Sequence, residues 1–134
     1  MTELEISRNK AIELIKIYMS NLQTGNLSEI LKLYASNSEI IPDAKASITS
    51  KQDIENFYKE TFAEIKLHGD LNITDVNVFG NVAIVRSEEP ADVEILATGA
   101  IEKSYFRELF VLTKESEKED WKIFKYMFSQ ITPQ

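Results

Sequence analysis

The sequence predicts an α+β fold: three helices packed against one curved antiparallel sheet. Apolar residues recur at helical spacing as far as Ile65 and give way to strand-like runs from residue 69 onward. Turn residues then punctuate the second half at hairpin intervals, at Gly80-Asn81, Pro90 and Gly99. The order, helices first with one short strand among them and strands afterwards, is the α+β arrangement and lacks the strand–helix alternation of a parallel sheet.

Ala11, Leu14, Ile15, Tyr18 and Leu22 define an amphipathic first helix that ends at Thr24-Gly25-Asn26, with Gly25 suited to the left-handed closing position. Asn26 reads as the next N-cap, with Glu29 three residues on. The short second helix carries Leu27, Ile30, Leu31 and Tyr34 on one face, and Glu39–Ile41 forms a strand stopped by Pro42-Asp43. Ser50 caps a third helix whose inner face is Ile54, Phe57, Tyr58, Thr61, Phe62 and Ile65, with His68 near its end as a surface residue. Strands follow at 71–79, 82–89, 93–98, 103–114 and 120–131, broken at Pro90. The acidic run Glu115–Asp120 reads as a solvated hairpin loop.

Composition narrows the function. The chain of 134 residues reads as a single domain, 1–134, and its net charge of −7 argues against nucleic acid and anionic membrane as partners, since both require a basic footprint. No apolar run approaches the ~20 residues that cross a bilayer, and Met-Thr-Glu-Leu-Glu lacks the basic start of a signal peptide, so a cytoplasmic address is expected. There is no cysteine, which excludes thiol catalysis and thiolate metal sites, and one histidine, which excludes a multi-histidine centre. No metal and no cofactor are expected.

The closing strands carry most of the functional signal. Tyr105–Leu112 sets Arg107 beside Glu108 in an otherwise apolar run, and Trp121–Phe128 is its hairpin partner. Phe106, Phe110 and Leu112 fall on one face; Tyr105, Leu109 and Val111 fall on the other. A strand apolar on both faces is buried on both. The helices cover one face, so a homodimer through the other is expected.

The stretches Ile17–Ala35, Asp53–Tyr58, Arg107–Leu112 and Trp121–Phe128 resemble the nuclear-transport-factor-2-like superfamily, in its SnoaL-like and ketosteroid-isomerase-like branch. The resemblance spans nearly the whole chain. It implies a cone-shaped curved sheet wrapped around the three N-terminal helices, with a mostly apolar pocket for a small-molecule ligand. In the isomerase branch a tyrosine of the first helix and a neutral carboxylic acid of a late strand bind the substrate oxyanion. Tyr18 and Glu108 match those positions, and Phe57 and Tyr58 match an aromatic pair on the third helix, from which Tyr58 could bond Tyr18. The catalytic base follows the first short strand; the direct match here is Pro42, with Asp43 one residue further on. The resemblance thus implies cofactor-free acid–base chemistry on a small apolar carbonyl compound, or a non-catalytic binding module built on the same cone.

Each residue also has a plainer reading. Tyr18 could be a core tyrosine with a satisfied hydroxyl. Glu108 could pair across strands with Arg86 or Lys125, or sit among Phe106 and Phe110 with its proton affinity raised. Arg107 points opposite to Glu108: toward the dimer surface if Glu108 faces the cone, or into the pocket as an anion anchor if the faces are reversed. Asp43 could be a proton shuttle at the mouth or a solvated turn residue. Phe124, Tyr126 and Phe128 are expected in the pocket wall or the core.

Overall fold

The computed structural model describes residues 1–116 and 118–131. Its elements, in chain order, are α1 (Glu3–Thr24), α2 (Leu27–Leu31), β1 (Tyr34–Ile41), α3 (Lys51–Glu64), β2 (Ile65–Gly69), β3 (Asn72–Phe79), β4 (Val82–Ile95), β5 (Ile101–Thr113) and β6 (Lys122–Ile131). The helix boundaries lie where local chemistry sets them. Gly25 closes α1 at φ 68°, a conformation that costs a side-chain-bearing residue, and its N–H bonds Asn21 O. Asn26 and Ser50 accept the N–H groups of Glu29 (3.3 Å) and Asp53 (3.0 Å) at the starts of α2 and α3.

The six strands form one curved sheet in the order β1-β6-β5-β4-β2, with β3 also on β4. The sheet is mixed: β1 runs parallel to β6, and the other pairs are antiparallel. A parallel pair between distant segments leaves no turn signal in the sequence, which is why the local pattern leads to an all-antiparallel expectation.

Several boundaries depart from the sequence reading. Tyr34 belongs not to the second helix but to β1, which starts there rather than at Glu39. α3 stops at Glu64, and Ile65 opens a strand, β2, that the helical pattern absorbs. His68 therefore belongs to β2 and bonds Glu94 Oε1 across the ladder at 2.9 Å. Pro90 does not break β4, which runs 14 residues through it. On one side β4 pairs with β3 up to Glu88 and with β2 from Ala91 onward. Pro90 falls in the gap between the two partners, where a missing N–H costs no ladder bond. Gly69 makes the switch possible, because a side chain there would meet Pro90 O at 2.8 Å. Of the acidic hairpin loop, Glu117 lies outside the described residues, and Glu115, Ser116 and Lys118 to Asp120 are exposed.

Ala11, Leu14, Ile15 and Tyr18 of α1 and Ile54 and Tyr58 of α3 pack onto the concave sheet face at Val85, Phe110, Ile123 and Tyr126. The helices fill one end of the cone and leave the other open.

Candidate functional site

Strand parity builds the inner wall of the open end. On β4 the buried residues are Ala83, Val85, Ser87, Glu89, Ala91 and Val93, strictly alternating. On β5 Ser104, Glu108, Phe110 and Leu112 are buried, while Arg107 is exposed. These strands, β6 and the ends of α1 and α3 enclose a cavity of about 350 Å³, lined in part by Tyr18, Phe57, Tyr58, Glu89, Glu108 and Tyr126. A larger cleft of about 670 Å³ between α1 and β3 lies apart from these groups.

The apolar end of the cavity carries a chain of phenols. Tyr18 OH and Tyr58 OH are 2.8 Å apart, and Tyr34 OH bonds Tyr58 OH from the other side. Tyr18 meets Phe110 and Tyr126 edge-on, at 5.3 and 5.5 Å between ring centres. Burial pushes the pKa of all four tyrosines, 18, 34, 58 and 126, well above the ordinary 10.0, so they remain neutral hydrogen-bond donors.

Part of the cavity lining is acidic. Glu108 is 3% exposed, and its Oε1 accepts from Ser87 Oγ at 2.9 Å. Neither cation suggested by sequence takes its carboxylate. Arg86 donates to the main-chain oxygens of Ser87 (2.9 Å) and Glu108 (2.8 Å) and to Glu88 (3.3 Å), and Lys125 pairs with Glu39 (3.0 Å). Burial raises the Glu108 pKa; the Ser87 hydroxyl, Glu89 and Arg86 pull it back.

Glu89, which sequence reasoning missed, is 1% exposed, and its Oε2 finds no hydrogen-bond partner among the described residues. Burial pushes its pKa from 4.5 up to about 8, with the neighbouring Glu108 and Asp70 adding to the effect. Its signal was available in the alternation with Val85, Ser87, Ala91 and Val93, but Glu88 and Pro90 on either side make the stretch look like a turn.

Tyr18, Phe57, Tyr58, Glu108, Tyr126 and Phe128 are thus brought to one cavity. Asp43 is exposed at its mouth, where Oδ2 accepts the Gln130 N–H at 3.3 Å and the next residue, Ala44, adopts φ 56°. Arg107 is on the convex face with Nε 3.2 Å from Ser129 Oγ, so the orientation that would have made it a pocket anchor is not the one adopted. Phe124 is half-buried and does not line the cavity; Lys125 Nζ lies 4.6 Å from its ring centre. Among the described residues no cluster of three or more metal-binding side chains occurs, and no helix is long and apolar enough to cross a membrane.

Helices seated in a curved, unclosed sheet around a lined hollow define the class: a cone-shaped α+β domain. The chain belongs to the nuclear transport factor 2 (NTF2) domain family, which matches residues 11–130. No curated protein matches it in sequence. Among solved structures it is similar to a ketosteroid isomerase-like protein from Erwinia carotovora atroseptica (TM-score 0.84, 22% identity, 98% of each chain covered). It is also similar to a proposed dehydratase of the NTF2-like family from Streptomyces avermitilis (TM-score 0.83, 12% identity, 96% of this chain and 99% of that one). A third is an NTF2-like protein from Cytophaga hutchinsonii (TM-score 0.74, 16% identity, 92% and 98% covered). At these identities the likeness is one of fold.

Proposed function

We propose that the cone cavity is a cofactor-free acid–base site, in a cytoplasmic protein, for a small, mostly apolar carbonyl compound that it enolises, isomerises or cyclises. One observation carries this reading: Glu108 is buried in the wall of a cavity shared with the neutral Tyr18 phenol, and no cation claims its carboxyl among the described residues. Burial without a cation supports a proton-transfer role, since buried carboxylates with a structural role are as a rule paired. Tyr18, backed by Tyr58, would donate to the carbonyl oxygen as negative charge develops, Glu108 would carry the proton, and Asp43 would relay it at the mouth. Phe57, Tyr126 and Phe128 would hold the apolar body of the ligand.

The test is exchange of C–H protons alpha to the carbonyl, followed by NMR in D₂O across a panel of small cyclic ketones and enones. Catalysed exchange is expected for at least one, reduced by ~100 to 1,000-fold in Tyr18→Phe, and likewise in Glu108→Gln. Exchange at the buffer rate throughout, or unaltered by Glu108→Gln, would sink the proposal. A non-catalytic binding module is the second reading. It draws on Asp43, which is exposed and stands one residue past the position the isomerase resemblance gives to the base.

The convex sheet face supports a homodimer as part of the same proposal. Tyr105, Leu109 and Val111 are only half-buried there, and Met127 is 44% exposed. Light scattering on the purified protein should give twice the 15.3 kDa chain mass.

A further inference from the structure

Glu89 has no part in the chemistry proposed for Tyr18, Glu108 and Asp43, yet it is the most deeply buried carboxyl of the cavity wall. Register explains how it meets Glu108. Ser87 is opposite Glu108 and Glu89 is opposite Phe106, so the two glutamates are diagonal neighbours on the concave face. Both carboxyls are buried on that face, and two carboxylates that close in the interior are not both ionised without a cation between them. No salt bridge reaches either carboxyl among the described residues.

The surroundings decide which of the two holds the proton. Glu108 receives the Ser87 hydroxyl, and the Arg86 guanidinium lies on its main-chain oxygen. Among the described residues Glu89 Oε2 has no donor: it lies against Gly69, where any Cβ would come within 3.0 Å of it. Ionised, Glu89 would leave a charged oxygen unsolvated in the interior. Neutral, it leaves only a carbonyl-type oxygen there, and its other oxygen can hold a proton against Glu108.

We propose that Glu89 and Glu108 form one proton-sharing acid–base unit, with the proton on Glu89 and the charge on Glu108. Glu108 is then the proton acceptor of the pocket, and the ligand class is a neutral carbonyl compound with an enolisable C–H, not an anion. The catalytic part rests on the acid–base reading above; the shared proton does not. In the step, a Glu108 oxygen takes the proton from the carbon alpha to the carbonyl. The C–H electron pair moves into the enolate, whose oxygen receives the Tyr18 hydrogen bond. Glu108, now neutral, returns a proton to the same carbon, after exchange with solvent by way of Asp43 at the mouth, or to the gamma carbon where a conjugated C=C bond makes the enolate a dienolate; Glu89 keeps its own throughout. Anions are disfavoured because the pair already carries one charge, Asp43, Glu64 and Glu102 also line the cavity, and Lys45 is the one cation among the described lining residues.

The titratable groups that line the cavity with Glu89 are Glu108 and Glu102 on β5, Tyr126 on β6, Tyr18 on α1, and Tyr58 and Glu64 on α3. Asp70 follows β2, and Asp43 and Lys45 lie between β1 and α3. The experiment is a ¹³C NMR titration of the glutamate carboxyls in the intact protein. Glu89 should titrate near pH 8, above Glu108. Glu108→Gln should lower the Glu89 midpoint, and Ser87→Ala should raise that of Glu108. A Glu89 midpoint near the ordinary 4.5, or one unmoved by Glu108→Gln, overturns the pair. If a variant does not fold, the wild-type midpoint of Glu89 alone decides. At pH 7 cyclohexanone, but not cyclohexanecarboxylate, should shift the amides of Ser87 and Glu89; the carboxylate binding as well as the ketone, or neither binding, overturns the ligand class. A raised Glu89 without any catalysed exchange defeats only the acid–base function. An ordinary Glu89 with exchange intact defeats only the pair.

Discussion

Glu88 and Glu89 are adjacent in sequence and differ in nearly everything that matters. Glu88 points to the convex face, where Arg86 reaches it at 3.3 Å and Tyr105 donates to it. Glu89 points into the cone, with no cation and one oxygen unpartnered among the described residues. Arg107 and Glu108 repeat the contrast on the next strand, with Arg107 exposed beside Ser129 and Glu108 buried beside Ser87. Identical residue chemistry thus becomes a surface ion pair on one side of the sheet and a perturbed acid on the other. Strand parity alone makes the difference.

The largest effect that could break this contrast comes from two leucines on opposite faces of β5. Leu112 is fully buried on the concave face, and Leu109 is half-buried on the convex one. Leu112→Ala should cost about 2–5 kcal/mol in chemical denaturation at any protein concentration. The loss in Leu109→Ala should be smaller and should grow with concentration if a second copy covers that face. Equal, concentration-independent losses would mean that the two faces are not distinguished in the way the parity argument requires.

The second concerns pH. The Glu89 pKa is raised in the fold, to about 8 against 4.5. The folded state therefore holds a proton that the unfolded chain releases between those values. Stability from this group is fully present below about pH 4.5 and is lost as pH rises through about 8, with a slope of at most ~1.4 kcal/mol per pH unit. Glu89→Gln should flatten that slope in denaturation curves taken across the window. Glu88→Gln, on the other face, should leave it intact.

The same contrast explains what the sequence made legible. Helical spacing, Gly25 and the caps Asn26 and Ser50 located the helices, because each acts through neighbours a few residues away. Glu108 stood out as a charge inside an apolar run, and Tyr18 and Tyr58 stood out through the resemblance. β2, the continuity of β4 through Pro90 and the parallel β1–β6 pair depend on partners far along the chain, and local pattern does not report those. Glu89 is hidden for the same reason: Pro90 reads as a break, which separates it from Val93 and masks the parity it shares with Val85.

A smaller effect separates the phenol chain from the carboxyl pair. Tyr58 bonds both Tyr18 and Tyr34, so Tyr58→Phe strands two buried hydroxyls and should cost about 1–3 kcal/mol. Because the tyrosines stay neutral over the working range, the loss should be independent of pH from about 5 to 9, unlike that of Glu89. A loss that varied with pH in parallel with Glu89 would show that phenols and carboxyls titrate as one network.

The smallest effect is the most discriminating for orientation. Arg107 is exposed, and its one side-chain bond among the described residues runs to Ser129 at 3.2 Å. Arg107→Ala should change monomer stability by less than about 0.5 kcal/mol and leave the Glu89 and Glu108 titrations where they were. A guanidinium inside the cone would do the opposite: its removal would raise both carboxyl midpoints, since a nearby positive charge favours the ionised form. Titration of the glutamates in Arg107→Ala therefore tests which face of β5 lines the cavity, independently of whether any reaction occurs there.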